Sequence, residues 1–250
     1  MKLPEFIKAS VAAVAITTAA TPAANAQSWK TEVHSRKTSE FAVPTLSTNE
    51  LARDFKNLLD NPSLYKSKVV FEETFPNEMI PYGYKDLCGR LNSYLDQICR
   101  VIEKPKSDNL LLHESTYSVL EAVNRFVNKN KSPISDKELF GVTEYWDHLV
   151  YRNAGDCEDI ARFKNTLLIY KHFPPETLNI ALVEHFRADG QVEGHLVLLV
   201  TLEHEGKKVT FVLDNLREKP ILMADASHLR FVAALSPDRR TWKKISVGVN

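Results

Sequence analysis

Surplus charge, long apolar runs and cysteines are scarce in this chain of 250 residues. Lys and Arg number 32 and so do Asp and Glu, so no long-range field recruits nucleic acid or an anionic membrane. The longest stretch of apolar or small residues, Ala9 to Ala20, is dotted with threonines and falls short of the roughly 20 residues a membrane span requires. No internal repeat or low-complexity tract is present, and no cluster of histidine and cysteine has the spacing of a zinc site. There are three cysteines, an odd number for an oxidising compartment. Either one thiol is free, or a pair bridges subunits. Cys88 and Cys99 lie in one short segment and pair if the chain turns back between them, leaving Cys157 alone; the other reading has all three free.

What is present begins with an export signal. Lys2 and Lys8 form a basic n-region ahead of the apolar stretch, and Ala24-Asn25-Ala26 has the small-x-small form of a signal peptidase site. Residues 1–26 are therefore expected to be a cleaved signal peptide, which places the mature chain in the periplasm. Residues 27–48, rich in Thr, Ser and Pro without lasting periodicity, are expected to be a flexible leader. Residues 49–250 then form a single domain with N-terminal helices, large enough for one sizeable core.

Hydrophobic period divides that domain. Helical spacing predicts helices over Glu50–Leu59, Lys85–Val101 and Thr116–Asn128, while Pro62, Pro76 and Pro81 predict mostly loop over 60–82. After residue 175 the pattern becomes strand-like: Leu178–Phe186, Gly194–Glu203 and Val209–Leu213 are separated by turn signals at Asp189-Gly190 and Glu205-Gly206. Further strands are expected near Phe231–Leu235 and Trp242–Val249. Helices first and an antiparallel sheet after them define an α+β class.

Gly155-Asp156-Cys157-Glu158-Asp159 opens a helix running to about Lys171. Asp156 is placed to cap it, with Asp159 reaching back three residues later. Cys157 then sits in the first turn, where free N–H groups and the helix dipole favour a thiolate. The bland alternative is a buried structural cysteine beside an ordinary cap. Asp156, Glu158 and Asp159 oppose the thiolate by like charge. They are also hard oxygen ligands, and a calcium ion held by them would remove the conflict; the alternative is a solvated acidic helix start.

His195 shares strand parity with Val197 and Leu199. With a two-residue or four-residue hairpin loop around Glu205-Gly206, Asp214 falls on the same sheet face, one diagonal rung away, within reach of the imidazole. A one-residue slip would separate them. Cys157 as nucleophile, His195 as base and Asp214 as its orienter form a hydrolytic constellation if the helix packs across the sheet. Asn215 and His185 are candidates for secondary roles.

Tyr145-Trp146, Gly155-Asp156-Cys157-Glu158-Asp159, Gly194-His195 and Leu213-Asp214-Asn215, with the Phe126-Val127-Asn128 helix upstream, resemble the bacterial transglutaminase-like cysteine proteinases. The resemblance implies a papain-like or transglutaminase-like fold, with the nucleophile helix packed on an antiparallel β-sheet. It implies a catalytic set on Cys157, His195 and Asp214, and a calcium site drawing on Asp156, Glu158 and Asp159. It further implies calcium-dependent cleavage of a large surface adhesin, with an inner-membrane receptor controlling the protease and biofilm release as the outcome. Transglutaminase or peptidoglycan amidase chemistry uses the same thioester intermediate, and an inactive, calcium-responsive periplasmic binding module is the non-enzymatic alternative.

Overall fold

The structure is a computed structural model that describes residues 47–76, 111–142, 145, 146, 149, 153–235 and 241–248. The signal peptide and almost all of the leader, the 85–101 helix, and Cys88 with Cys99 lie outside the described residues.

A seven-stranded sheet carries the fold, in the order β1-β9-β8-β4-β5-β6-β7 with every pair antiparallel. Its strands are β1 (Lys68–Pro76), β4 (Leu178–Phe186), β5 (Val192–His204), β6 (Lys207–Leu213), β7 (Ile221–Leu222), β8 (Leu229–Leu235) and β9 (Thr241–Gly248). The helices are α1 (Thr48–Leu59), α2 (Glu114–Asn130), the short α3 (Asp136–Phe140) and α4 (Cys157–Tyr170). A two-residue parallel ladder joins β2 (Ser132–Pro133) to β3 (Ala154–Gly155). The nucleophile helix thus packs on an antiparallel sheet, the α+β arrangement expected.

Alternation along β5 explains the layers. Leu198, Val200 and Leu202 join Leu120, Val123, Phe126 and Val127 of α2 and Phe163, Leu167 and Leu168 of α4 in the main core. Val197 and Leu199 point the other way, into a smaller cluster with Val183, Val212 and Met223. Because strand side chains alternate faces, β5 is buried on both sides and reads as a continuous apolar run. Leu51, Phe55 and Leu58 of α1 pack on the main core, and that helix is started by a reciprocal capping box between Ser47 and Glu50.

Two expectations need correction. Within residues 60–82, expected to be mostly loop, Lys68–Pro76 is a nine-residue strand paired with β9, and residues 77–82 lie outside the described residues. Its place at the sheet edge is what tolerates proline, which lacks a ladder donor. Asp156 occupies the N-cap position of α4 but makes no side-chain cap bond; its carboxyl is engaged elsewhere.

Candidate active site

The β5–β6 hairpin places His195 and Asp214. His204 pairs with Lys207, so the loop is the two residues Glu205 (φ 52°) and Gly206 (φ 73°). Positive φ at both central positions is the turn geometry that follows strand twist. The resulting register sets Leu213 opposite Leu198. Asp214 therefore comes opposite Val197 and diagonal to His195 on one face, and His195 Nε2 lies 2.9 Å from Asp214 Oδ1.

Asp214 is fully buried and His195 nearly so. Burial alone would keep the Asp214 carboxyl protonated, but the His195 bond, the Leu216 N–H and the Lys164 ammonium outweigh it and hold its pKa below the usual carboxylate value. The Leu216 N–H donates to Asp214 Oδ1 at 2.9 Å. An ionised carboxylate only accepts, so His195 must donate through Nε2 and present Nδ1 elsewhere.

Cys157 arrives from the other side. β6 ends at Leu213, and β5 continues to Val192 paired, among the described residues, with β4 alone. The Cys157 sulfur reaches this half-open stretch, where the backbone N–H of Leu196, the residue after His195, bonds to it. Burial pushes the thiol well above its ordinary pKa, and the Glu158 and Asp156 carboxylates push it further. The thiol donates to Glu158 Oε2 at 3.3 Å.

Of the three expected metal ligands, the structure groups Asp156 and Glu158 with a residue not anticipated, Asp136, with one ligand atom from each within 4.8 Å of the others. The parallel ladder is the cause: Ser132 pairs with Ala154 and Pro133 with Gly155, which lays the approach to Asp136 beside the approach to Asp156. The Tyr145 N–H also donates to Asp136 Oδ2, so the Tyr145-Trp146 motif borders the cluster. Asp159 stands apart from that group, buried against Gly155, where an added Cβ would meet Asp159 Oδ2 at 2.6 Å and Leu149 Cδ2 at 2.5 Å. That glycine is required for close approach rather than for a turn.

The cluster suits a hard divalent cation. Burial raises the pKa of the Asp156 carboxyl, while hydrogen bonds with the Glu158 carboxyl and the Asp136 backbone oppose that rise. Asp156 Oδ1 is buried without a hydrogen-bond partner among the described residues. A calcium ion takes buried carboxylate oxygens of this kind as ligands.

Sequence reasoning missed Asp136 and also His228, whose Nε2 lies 3.9 Å from Asp214 Oδ2; both atoms are buried without a hydrogen-bond partner among the described residues. Burial, then Arg217, lowers the His228 pKa. His185 bonds Glu193 at 3.0 Å through Nδ1, and its ring centroid is 5.9 Å from that of His195. Asn215 follows Asp214 and is partly buried.

A cysteine at a helix start, with a histidine and carboxylate pair on the sheet beneath it, defines the architecture of a papain-like cysteine peptidase. The family described as bacterial transglutaminase-like cysteine proteinase (BTLCP) matches residues 75–249, and this chain belongs to it: a transglutaminase-like cysteine protease. Solved structures similar to it include Legionella pneumophila LapG in a calcium-bound form, at 18% identity over 76% of this chain and 83% of that one with a TM-score of 0.41. Another LapG structure from the same organism gives 21% identity over 58% and 71% of the two chains with a TM-score of 0.40. An EGTA-treated LapG gives 27% identity over 46% and 60% with a TM-score of 0.36. No curated protein matches the chain in sequence.

Proposed function

We propose that this chain is an exported, calcium-dependent endopeptidase that hydrolyses a protein substrate through a thioester on Cys157. The observation that carries the reading is the buried His195–Asp214 pair at 2.9 Å, set one residue from the backbone N–H that meets the Cys157 sulfur. His195 takes the thiol proton and returns it to the leaving amine, while Asp214 holds the ring's tautomer and supports its positive charge. Water then releases the acyl group.

In this reading Asp136, Asp156 and Glu158 hold calcium. Its charge would cancel the carboxylate field that now disfavours the thiolate and draw Glu158 away from the sulfur. The family resemblance extends the proposal to a large surface adhesin as substrate, a periplasmic location behind a cleaved signal peptide, and control by an inner-membrane receptor.

The test compares exported and surface proteins from cells carrying the wild-type chain with those from cells carrying Cys157→Ala. One protein should persist uncleaved in the variant, and adding EGTA to wild-type cells should reproduce that pattern. Unchanged cleavage in Cys157→Ala would exclude the mechanism. If product forms only with an added amine acceptor, the chain is a transglutaminase instead.

A further inference from the structure

Asp214 lies one residue past β6, whose last rung pairs Leu213 with Leu198, and among the described residues no strand pairing fixes the chain there. The loop that follows is held from one side by two asparagines one turn apart on α2. Asn128 Nδ2 donates to the Asp214 carbonyl at 2.9 Å and to the Arg217 carbonyl at 2.8 Å. Asn124 Nδ2 donates to the Arg217 and Glu218 carbonyls at 2.8 and 3.0 Å.

The orientation of Asn124 is itself dictated. The buried Lys164 ammonium lies 2.7 Å from Asn124 Oδ1 and 3.4 Å from the Leu213 carbonyl. The lysine Nζ donates to the amide oxygen, and this turns the NH₂ toward the loop. Lys164 is seven residues beyond Cys157 on α4, so one lysine joins the nucleophile's helix to the chain on both sides of Asp214. A fully buried lysine and a fully buried asparagine are costly components for an apolar core, and neither has a part in the hydrolytic scheme above.

We infer that Asn124 and Asn128 are positioning residues for Asp214, with Lys164 setting the amide of Asn124, and that they fix the carboxylate at the distance His195 requires. This rests on the hydrolytic reading of Cys157, His195 and Asp214. Helix spacing makes the device possible: residues four apart share a face, so both side-chain amides meet the one loop that joins β6 to β7. Without them Asp214 is held through the Leu213 pairing, its side-chain bonds to Leu216 and His195, and the Arg217 N–H that donates to its carbonyl at 3.4 Å.

The experiment measures alkylation of Cys157 by iodoacetamide in the full mature chain with calcium present, followed by mass spectrometry of the Cys157 peptide from pH 5 to 9, beside thermal melts. Asn128→Ala is the principal variant, because Asn128 is only partly buried and alanine favours helix; Asn124→Ala is the second. The inference expects alkylation near neutral pH to slow by about fivefold in each, the factor one net hydrogen bond is worth, with the pH midpoint moved upward. The upward shift follows because a misplaced Asp214 gives less support to the imidazolium that pairs with the thiolate. A lowered melting temperature with an unmoved pH midpoint would mark a merely structural role and overturn the inference. Controls separate the two levels: if His195→Gln and Asp214→Asn alkylate as the wild type does, the hydrolytic reading falls and takes this inference with it. If those two are slowed while both asparagine variants behave as wild type, only the clamp is wrong.

Discussion

Replacing Glu158 with glutamine should make Cys157 more reactive in the absence of calcium. The thiol donates to Glu158 Oε2 at 3.3 Å, and the carboxylate's charge is among the influences that raise the thiol's pKa, after burial itself. At 3.3 Å two unit charges interact by about 1.3 kcal/mol in bulk water and by about 5 kcal/mol at an effective dielectric constant of about 20. The lower figure applies where solvent enters the partly exposed cysteine, and it corresponds to about tenfold more thiolate below the thiol's pKa. Glutamine has the shape of glutamate and can donate to the Asp156 carboxylate, so the local packing survives. Alkylation by iodoacetamide in EGTA at pH 7.5 should therefore quicken by about tenfold or more, while the acceleration produced by calcium in the wild type should shrink or vanish. A rate in EGTA equal to or below that of the wild type would refute the electrostatic argument, because Glu158 would then be assisting the thiol rather than suppressing it.

Asp214→Asn should leave the melt close to wild type while cutting cleavage of the protein substrate by about 10² to 10⁴, the usual worth of a positioned acid–base group; an activity loss smaller than tenfold would remove Asp214 from the mechanism. Calcium at about a hundred times its dissociation constant should raise the melting temperature by roughly 5 to 10 °C, and Asp136→Asn should abolish that rise; equal melts in calcium and EGTA for the wild type would dismiss the site. Lys164 has its pKa lowered by burial from 10.5 to about 7, so from about pH 7 to 10.5 the folded chain binds fewer protons than the unfolded one. Stability should then rise with pH across that window, by up to about 1.4 kcal/mol per unit from this group, and be lost again as pH falls toward 7. Urea melts at pH 7 and 9 should show a smaller difference in Lys164→Met than in the wild type; an equal difference would contradict the assignment.

The parts of this site that could be read from sequence are those governed by short-range periodicity. His195 and Asp214 share a face because strand side chains alternate and because Glu205-Gly206 is a two-residue turn, both properties of adjacent residues. Asp136 was illegible for the opposite reason: 20 residues separate it from Asp156, and only the pairing of Ser132 with Ala154 and Pro133 with Gly155 joins them. The same pairing helps explain why Asp156 abandons the cap that its position suggests, since its carboxyl is bonded by the Asp136 backbone as well as by Glu158. His228 precedes β8, which lies between β9 and β4 rather than beside β7, the strand before it in sequence, so its approach to Asp214 is set by strand order. Asn124 and Asn128 had a fainter trace: two amides four apart on a helix whose other buried positions are largely apolar are more than solubility requires.

The ending of β6 is the feature that lets the remaining parts meet. Its last rung pairs Leu213 with Leu198. Past it, Val192 to Val197 are held by β4 on one side and, among the described residues, have no strand on the other. One side supplies rigidity and the other access. Had β6 continued in register for two more residues, Asn215 would stand opposite Leu196 and its backbone would take the place where the Cys157 sulfur meets the Leu196 N–H. The chain must therefore turn away immediately after the residue that orients the imidazole. The Leu216 N–H folding back onto Asp214 Oδ1 at 2.9 Å and the two asparagine amides on the loop carbonyls supply the hydrogen bonds that a continuing ladder would otherwise have made. A helix start can then enter the vacated edge, which brings a thiol from the helical layer to an imidazole on the opposite face of the sheet without a break in β5.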